Sequence, residues 1–508
     1  MLLFWGNLHQ KEAIAAPWRV PIYSIFPVLP LAINVSHRAL SHISLVNVVR
    51  FFMAQAKDIV PGFYTIDDAI ALDGETTRAL QLTHLNRMRS LDGHAKYFVR
   101  AEGSTFIDDQ GEKHLDMIGA VGVVTVGNNN EFVWSCLQKC FDNRLFMMGA
   151  ISYHNVAAAL AHNMALLSPQ GKLTKMGTAT GGAEAIEGMI KLVKLGTRHK
   201  AHKTHLLATL GAFHGKTSGA VSLGGKDKWR AGQQPTLGNI DHVTYGSIPE
   251  LESALATGKY KAFVVEPIQG EGGIIVPPAG YLKAARELCD RYDTLLVLDE
   301  IQCGAARTGK FWCCEHDDVV PDCIVFAKGL SGGLVPFGGY LCTESLYEAA
   351  YGTIETCYHH TATYQENTLS AAAALGSLQF IIEHDLCGMA ERKGALMMQR
   401  LYDIQARHPQ VIKEVRGKGL MIGIEFGRLP EALQASMGEY YSMAIAGLLV
   451  EKWRIQVNFT INNLAVFRFL PALTISEEEL DYALNAFESA LINVVEQAEQ
   501  ANTSVMTA

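Results

Sequence analysis

The chain has 508 residues, of which 49% are apolar and 19% charged, with 46 glycines. That is the make-up of a folded protein of two or three domains with many short turns, and it excludes a disordered or fibrous chain. A formal net charge of −8 and a pI near 6.1 supply no field for nucleic acid or an anionic membrane, so small-molecule partners are expected.

Between Val20 and Val35 an apolar stretch carries Pro21, Pro27 and Pro30. It is too short and too broken to span a bilayer and lacks the layout of a cleaved leader, so it reads as an arm packed on the body or on a partner subunit. The ten cysteines are scattered, with no Cys-x-x-Cys pair and no His spacing that would cage zinc. No metal site is predicted, and a reducing cytoplasm fits best.

From Tyr97 the pattern changes to short strands, with Asp109-Gln110-Gly111 as a hairpin turn. Helical segments then alternate with buried-strand patterns at His205–Leu210, Ala262–Val265, Thr294–Leu298 and Cys323–Phe326. That alternation predicts an α/β protein with a parallel sheet covered on both faces, whose ligand sits at the carboxyl ends of the strands. Those ends hold Phe213-His214-Gly215, Glu266-Pro267, Asp299-Glu300 and Lys328-Gly329. After Asn367 the sequence turns helical, over Leu369–Glu383 and through Met397–Ile404, and a shorter αβ unit with Glu414–Leu420 and Phe467–Leu470 closes it. The expected division is an arm and extension over 1–96, a large domain over 97–366 and a small one over 367–508, with a frayed polar tail from Gln497.

Asp299 and Lys328 stand 29 residues apart, about one βαβ unit, each at the end of an apolar strand. A lysine there is partly desolvated, which makes its neutral amine available for Schiff-base chemistry. Taken alone the two would be an ordinary strand-end ion pair. In company with Phe-Val-Val-Glu-Pro-Ile-Gln-Gly-Glu-Gly-Gly at 263–273, the Ala-Arg-Thr-Gly run ending at Gly309, and Ala327-Lys328-Gly329, they are more. Over Tyr97–Leu491 the sequence resembles the class III aminotransferases, the ornithine, acetylornithine, putrescine and 4-aminobutyrate type, which are fold-type I enzymes using pyridoxal 5′-phosphate (PLP).

The resemblance implies a large domain with a mostly parallel, seven-stranded type of sheet, a smaller α/β domain and a homodimer with shared sites. It implies that Lys328 carries the cofactor and shuttles the proton, that Asp299 pairs with the pyridinium nitrogen and that Gln302 bonds the ring hydroxyl. Phe213 would stack on the ring, with His214 and Glu266 beside it. The phosphate would sit on Gly181, Gly182 and Ala183, where a helix with apolar face Ile186, Met189, Ile190 and Val193 begins, and Thr363 would reach it from the second subunit. Arg468 would clamp a substrate carboxylate and Glu271 would mask it, which implies 2-oxoglutarate as one partner. Lys216 stands where members acting on α-carboxylate donors often have arginine, which leans towards an amine, diamine or ω-amino donor. Two departures stand out. Gly181 replaces a common hydroxyl, and Gln365-Glu366 replace two glycines. They keep open a second reading, a PLP mutase, racemase, decarboxylase or carbon–carbon bond-forming enzyme, because the same cofactor chemistry serves all of them.

Overall fold

The computed structural model describes residues 60–85, 96–427 and 441–506, and the chain divides into two units at Asp73/Gly74. The proline-bearing stretch at 20–35 lies outside the described residues. In the first unit Thr65 starts the short helix Ile66–Ile70 with a capping box. Its Oγ1 accepts the Asp68 N–H while the Asp68 carboxylate accepts the Thr65 N–H at 3.0 Å.

The second unit opens with the helix Gly74–His84, followed by β1 (Phe98–Glu102), β2 (Thr105–Asp108) and β3 (Lys113–Asp116), an antiparallel meander. The predicted turn between β2 and β3 is present: Gly111 takes φ +80°, and Asp108 Oδ1 accepts the N–H groups of Gln110 and Glu112.

The central sheet comprises β4 (Lys175–Ala179), β5 (His205–Thr209), β6 (Ile240–Val243), β7 (Tyr260–Val265), β8 (Leu295–Asp299), β9 (Cys323–Phe326) and β10 (Gly338–Cys342), in the order β4-β10-β9-β8-β7-β5-β6. Only β10 runs against its neighbours, so the sheet is mostly parallel. Because β4 and β9 both run against β10 they run the same way, and the carboxyl ends of β4, β5, β7, β8 and β9 line one edge. The middle strands are almost continuously apolar and buried because helices cover both faces. One such helix, Gly182–Gly196, buries Ile186, Met189, Ile190 and Val193, the face read from its spacing.

The C-terminal part holds the helices Thr368–Glu383 and Leu386–Arg407, then β11 (Ile412–Lys418), β12 (Met421–Phe426), the helix Tyr441–Trp453, β13 (Ile455–Gln456), β14 (Asn458–Phe459) and β15 (Val466–Phe469). An antiparallel sheet runs β11-β12-β15-β14, whereas β13 pairs in parallel with β3 and completes the first sheet. The helix read through Met397–Ile404 is present as part of Leu386–Arg407. One expectation is corrected here: the last helix, Glu477–Met506, continues past Gln497 where fraying was expected.

Candidate active site

The carboxyl edge of the central sheet and the start of the helix Gly182–Gly196 enclose a cavity of about 350 Å³. Gly181, Gly182, Ala183, Phe213, His214, Glu266, Glu271, Asp299, Gln302 and Lys328 all line it. That volume lies within the range of small-molecule and cofactor sites.

Lys328 is the second residue past β9 and takes φ +42°, an uncommon angle for a side chain and one that costs energy held by the surrounding fold. Its amine is desolvated, and burial pulls its pKa below the usual lysine value even though Glu271, Asp299 and Glu266 pull it up. Burial thus shifts Lys328 towards its nucleophilic, neutral form.

Asp299 ends β8. Its Oδ2 lies 2.7 Å from His214 Nδ1 and its Oδ1 accepts the Ile301 N–H at 3.1 Å. Burial opposes the charging of His214, but the hydrogen bond and charge of Asp299, with the charge of Glu266, hold the imidazole above its ordinary pKa, so Nδ1 donates. Glu266 Oε1 accepts the Phe213 N–H at 3.0 Å and its Oε2 accepts the Gly270 N–H at 2.9 Å, which fixes the loop that presents Phe213 to the cavity. Burial pushes the Glu266 carboxyl up to about 7.

One buried group had no role in the reading of the sequence. Glu300 follows Asp299 and accepts the N–H groups of Cys313 (2.5 Å) and Cys314 (2.8 Å), tying the end of β8 to a short helical turn at Cys313–Asp317. Its only sequence signal is the Asp-Glu pair, which does not show where the second carboxylate points. Burial pushes its carboxyl up to about 7 as well. A carboxyl raised in the folded state contributes stability that is fully present below its unfolded value and lost as the pH rises through about 7. The stability of Glu300→Gln relative to wild type should therefore increase between about pH 5 and about pH 8. Thermal melts across that range check it, and a relative stability that fell with pH would contradict the assignment.

Arg468, on β15, stands behind the cavity wall rather than on it. Its Nη1 is 2.6 Å from Glu271 Oε1, and the two side chains are 2% and 7% exposed. Burial pushes the Glu271 carboxyl up, but the Arg468 charge and hydrogen bond override it and leave the carboxyl below its usual range. Lys216 and Thr363 are exposed and do not line the cavity; the Lys216 Nζ rests 4.7 Å above the Trp229 indole. In the loop after Thr363, Glu366 takes φ +55° and donates its N–H to Thr178 Oγ1 at 2.8 Å. The chain thus adopts at Glu366 an angle that glycine would adopt freely, at a cost of about 1–2 kcal/mol. At Gly181 the backbone is extended, no side chain caps the helix, and a Cβ would meet nothing within 4 Å.

Comparison with known proteins gives the class, a PLP-dependent transaminase. The class-III aminotransferase family description matches residues 90–491. An uncharacterized aminotransferase of Schizosaccharomyces pombe is 56% identical over 436 residues, 86% of this chain and 90% of its own. The solved ornithine aminotransferase of Toxoplasma gondii superposes with a TM-score of 0.76 at 25% identity, covering 88% of this chain and all of its own. An amine transaminase from an uncultivated Pseudomonas species, solved with PLP bound, gives 0.73 at 26% identity over 79% and 95% of the two chains. The chain belongs to the class-III aminotransferase family, whose members are enzymes that use PLP.

The residues present fit that cofactor. An uncapped helix start faces the cavity and offers N–H groups to an anion. Across the same space stand Lys328 and Asp299, and Gln302 Oε1 and His214 Nε2 are buried with no partner among the described residues. No helix of the described residues is long and apolar enough to cross a membrane.

Proposed function

We propose that this aminotransferase moves the amino group of an amine, diamine or ω-amino acid to 2-oxoglutarate or another 2-oxo acid, as a homodimer with shared sites in a reducing cytoplasm. The observation that carries the reading is the buried Arg468–Glu271 pair against the cavity that holds Lys328. A guanidinium already neutralised by a carboxylate tolerates a donor with no carboxylate at that end. It also offers a two-pronged clamp to a dicarboxylate once Glu271 turns away.

In this account residues 97–366 form the cofactor-binding domain and 367–508 the small domain. Lys328 would hold PLP and, with burial favouring its neutral form, would take the proton from the substrate Cα and later give one back. PLP, when bound, supplies an electron sink for the charge left at Cα. Asp299, oriented by His214 and by the Ile301 N–H, would keep the ring nitrogen protonated. Phe213, on a loop pinned by Glu266, would cover the ring. Gln302 would bond the ring hydroxyl, Gly181, Gly182 and Ala183 would hold the phosphate, and Thr363 of a second copy would complete the phosphate site. Lys216 lies on Trp229 outside the cavity, so the preference for donors lacking an α-carboxylate is carried by the masked Arg468 rather than by Lys216.

Arg468→Ala tests the acceptor assignment. It is expected to lower kcat/KM for 2-oxoglutarate about a hundredfold or more, as for the loss of one partner of a buried charge pair. The same constant for a diamine should change less than about tenfold. Steady-state kinetics with each substrate varied in turn check this, and equal losses on both sides would contradict it.

A further inference from the structure

We propose that Asn462 and Trp229 set how tightly Glu271 masks Arg468, and so set the balance between dicarboxylate and uncharged substrates at this site. The inference rests on the reading of Arg468 and Glu271 given above.

Glu271 is held from three directions. Arg468 Nη1 donates to Oε1 at 2.6 Å, the Ile461 N–H donates to Oε2 at 3.1 Å, and the Asn462 N–H donates to its main-chain carbonyl at 3.0 Å. Two of the three donors belong to the turn between β14 and β15, and β15 carries Arg468 itself. The mask and the clamp are therefore governed by one hairpin. When a substrate carboxylate takes the place of the Glu271 carboxylate on Arg468, Glu271 must give up the Ile461 N–H as well as the guanidinium. The main-chain bond from Asn462 persists in both states.

The position of the Ile461 N–H depends on its neighbour. Asn462 is 6% exposed and its side chain is fully engaged: Nδ2 donates to Gly211 O at 3.0 Å and Ala212 O at 3.4 Å, and Oδ1 accepts the Trp229 indole N–H at 2.6 Å. These bonds fasten the turn to the residues that precede Phe213 and to the short helix Asp227–Arg230. Lys228 adds a bond from its Nζ to Ile461 O at 2.6 Å while lying 4.9 Å above the Trp229 ring. Glu271 lines the cavity, whereas Gly211, Ala212, Lys228, Trp229, Ile461 and Asn462 do not, so Asn462 and Trp229 act through Glu271 as positioning residues. The four segments involved are far apart in sequence, which is why no motif revealed the network.

Loosening the turn weakens the masked state, while Arg468 stays held in the sheet by its pairing with Gly423 and Asn458. The test is calorimetric binding of glutarate, a dicarboxylate with no reacting carbonyl, to the PLP-loaded enzyme, with valerate as the single-carboxylate control. Trp229→Phe removes the indole donor and keeps an aromatic ring; Asn462→Ala removes the whole anchor. Both are expected to bind glutarate more tightly than wild type, by about threefold and about tenfold respectively, the scale of one hydrogen bond, with valerate binding changed less. In turnover, KM for 2-oxoglutarate should fall while kcat/KM for a diamine falls too, a split that general destabilisation would not produce. Glutarate binding that is unchanged or weaker in both variants, while Arg468→Ala still abolishes it, would overturn the proposal and leave the clamp standing. Undiminished glutarate binding by Arg468→Ala would overturn the clamp and the proposal together.

Discussion

Replacing Lys328 with alanine should reduce turnover to about one ten-thousandth of wild type or less, because in the proposed mechanism one side chain would both hold the cofactor and move the proton. The loss should be chemical rather than structural. Lys328 stands at the head of a short turn after β9, and its amine is desolvated among three carboxylates and Arg468. Removing it ends an unfavourable burial as well as a favourable attraction, so the melting temperature should stay within about 4–8 °C of wild type. The variant should keep the same assembly state by light scattering while losing the visible absorbance of the lysine-bound cofactor. Activity above about one per cent in a preparation freed of wild-type enzyme would remove Lys328 from the mechanism.

Asp299→Asn is the second large effect, a fall in kcat on the order of 10³. Asparagine keeps the shape and an oxygen for His214 Nδ1, but it carries no charge to hold a proton on the ring nitrogen. The substitution also leaves an independent trace. The charge and hydrogen bond of Asp299 are the main influences holding the His214 pKa up against burial, so in the variant that pKa should drop. An imidazole titration followed by NMR measures it. A variant with a lowered kcat and an unmoved His214 would mean that the carboxylate acts on the cofactor without the geometry described here; one that kept both would contradict the role altogether.

The sequence revealed those elements whose physics is local. Strands β5, β7, β8 and β9 were legible because strands covered on both faces are continuously apolar, and the hairpin after β2 because Gly111 must take a positive φ. Strand β4, Lys-Met-Gly-Thr-Ala, has no apolar run, and its Gly177 is there because the ring of Tyr340 on β10 occupies the space of a Cβ. Strand β10 begins with two glycines and reads as a loop until Gly339 is seen packed against Gly177. The start of the helix Leu386–Arg407 was hidden by Gly388 and Gly394, the latter required where the helix meets the backbone of Gly419. β6 is four residues with one buried position, too short and polar to carry a pattern.

The site divides in the same way. Lys328, Asp299, Gln302, Phe213 and the Gly181–Ala183 turn sit at strand ends or a helix start, where motif and topology both point. Glu300, Trp229 and Asn462 act through contacts between segments distant in sequence, and their spacing says nothing of it. In the loop after Thr363, where Gln365 and Glu366 replace two glycines, Glu366 takes the left-handed angle and its N–H is secured by Thr178.

The most direct test is a half-reaction without the acceptor. The PLP-loaded protein is mixed with a panel of diamines, ω-amino acids and α-amino acids, its visible absorbance is followed, and 2-oxoglutarate is then added. Loss of the visible band with one equivalent of carbonyl product per site, restored by 2-oxoglutarate with formation of glutamate, is the predicted result, and the donor that reacts fastest names the substrate class. Turnover of a donor with no transfer of its nitrogen to any 2-oxo acid would contradict the account.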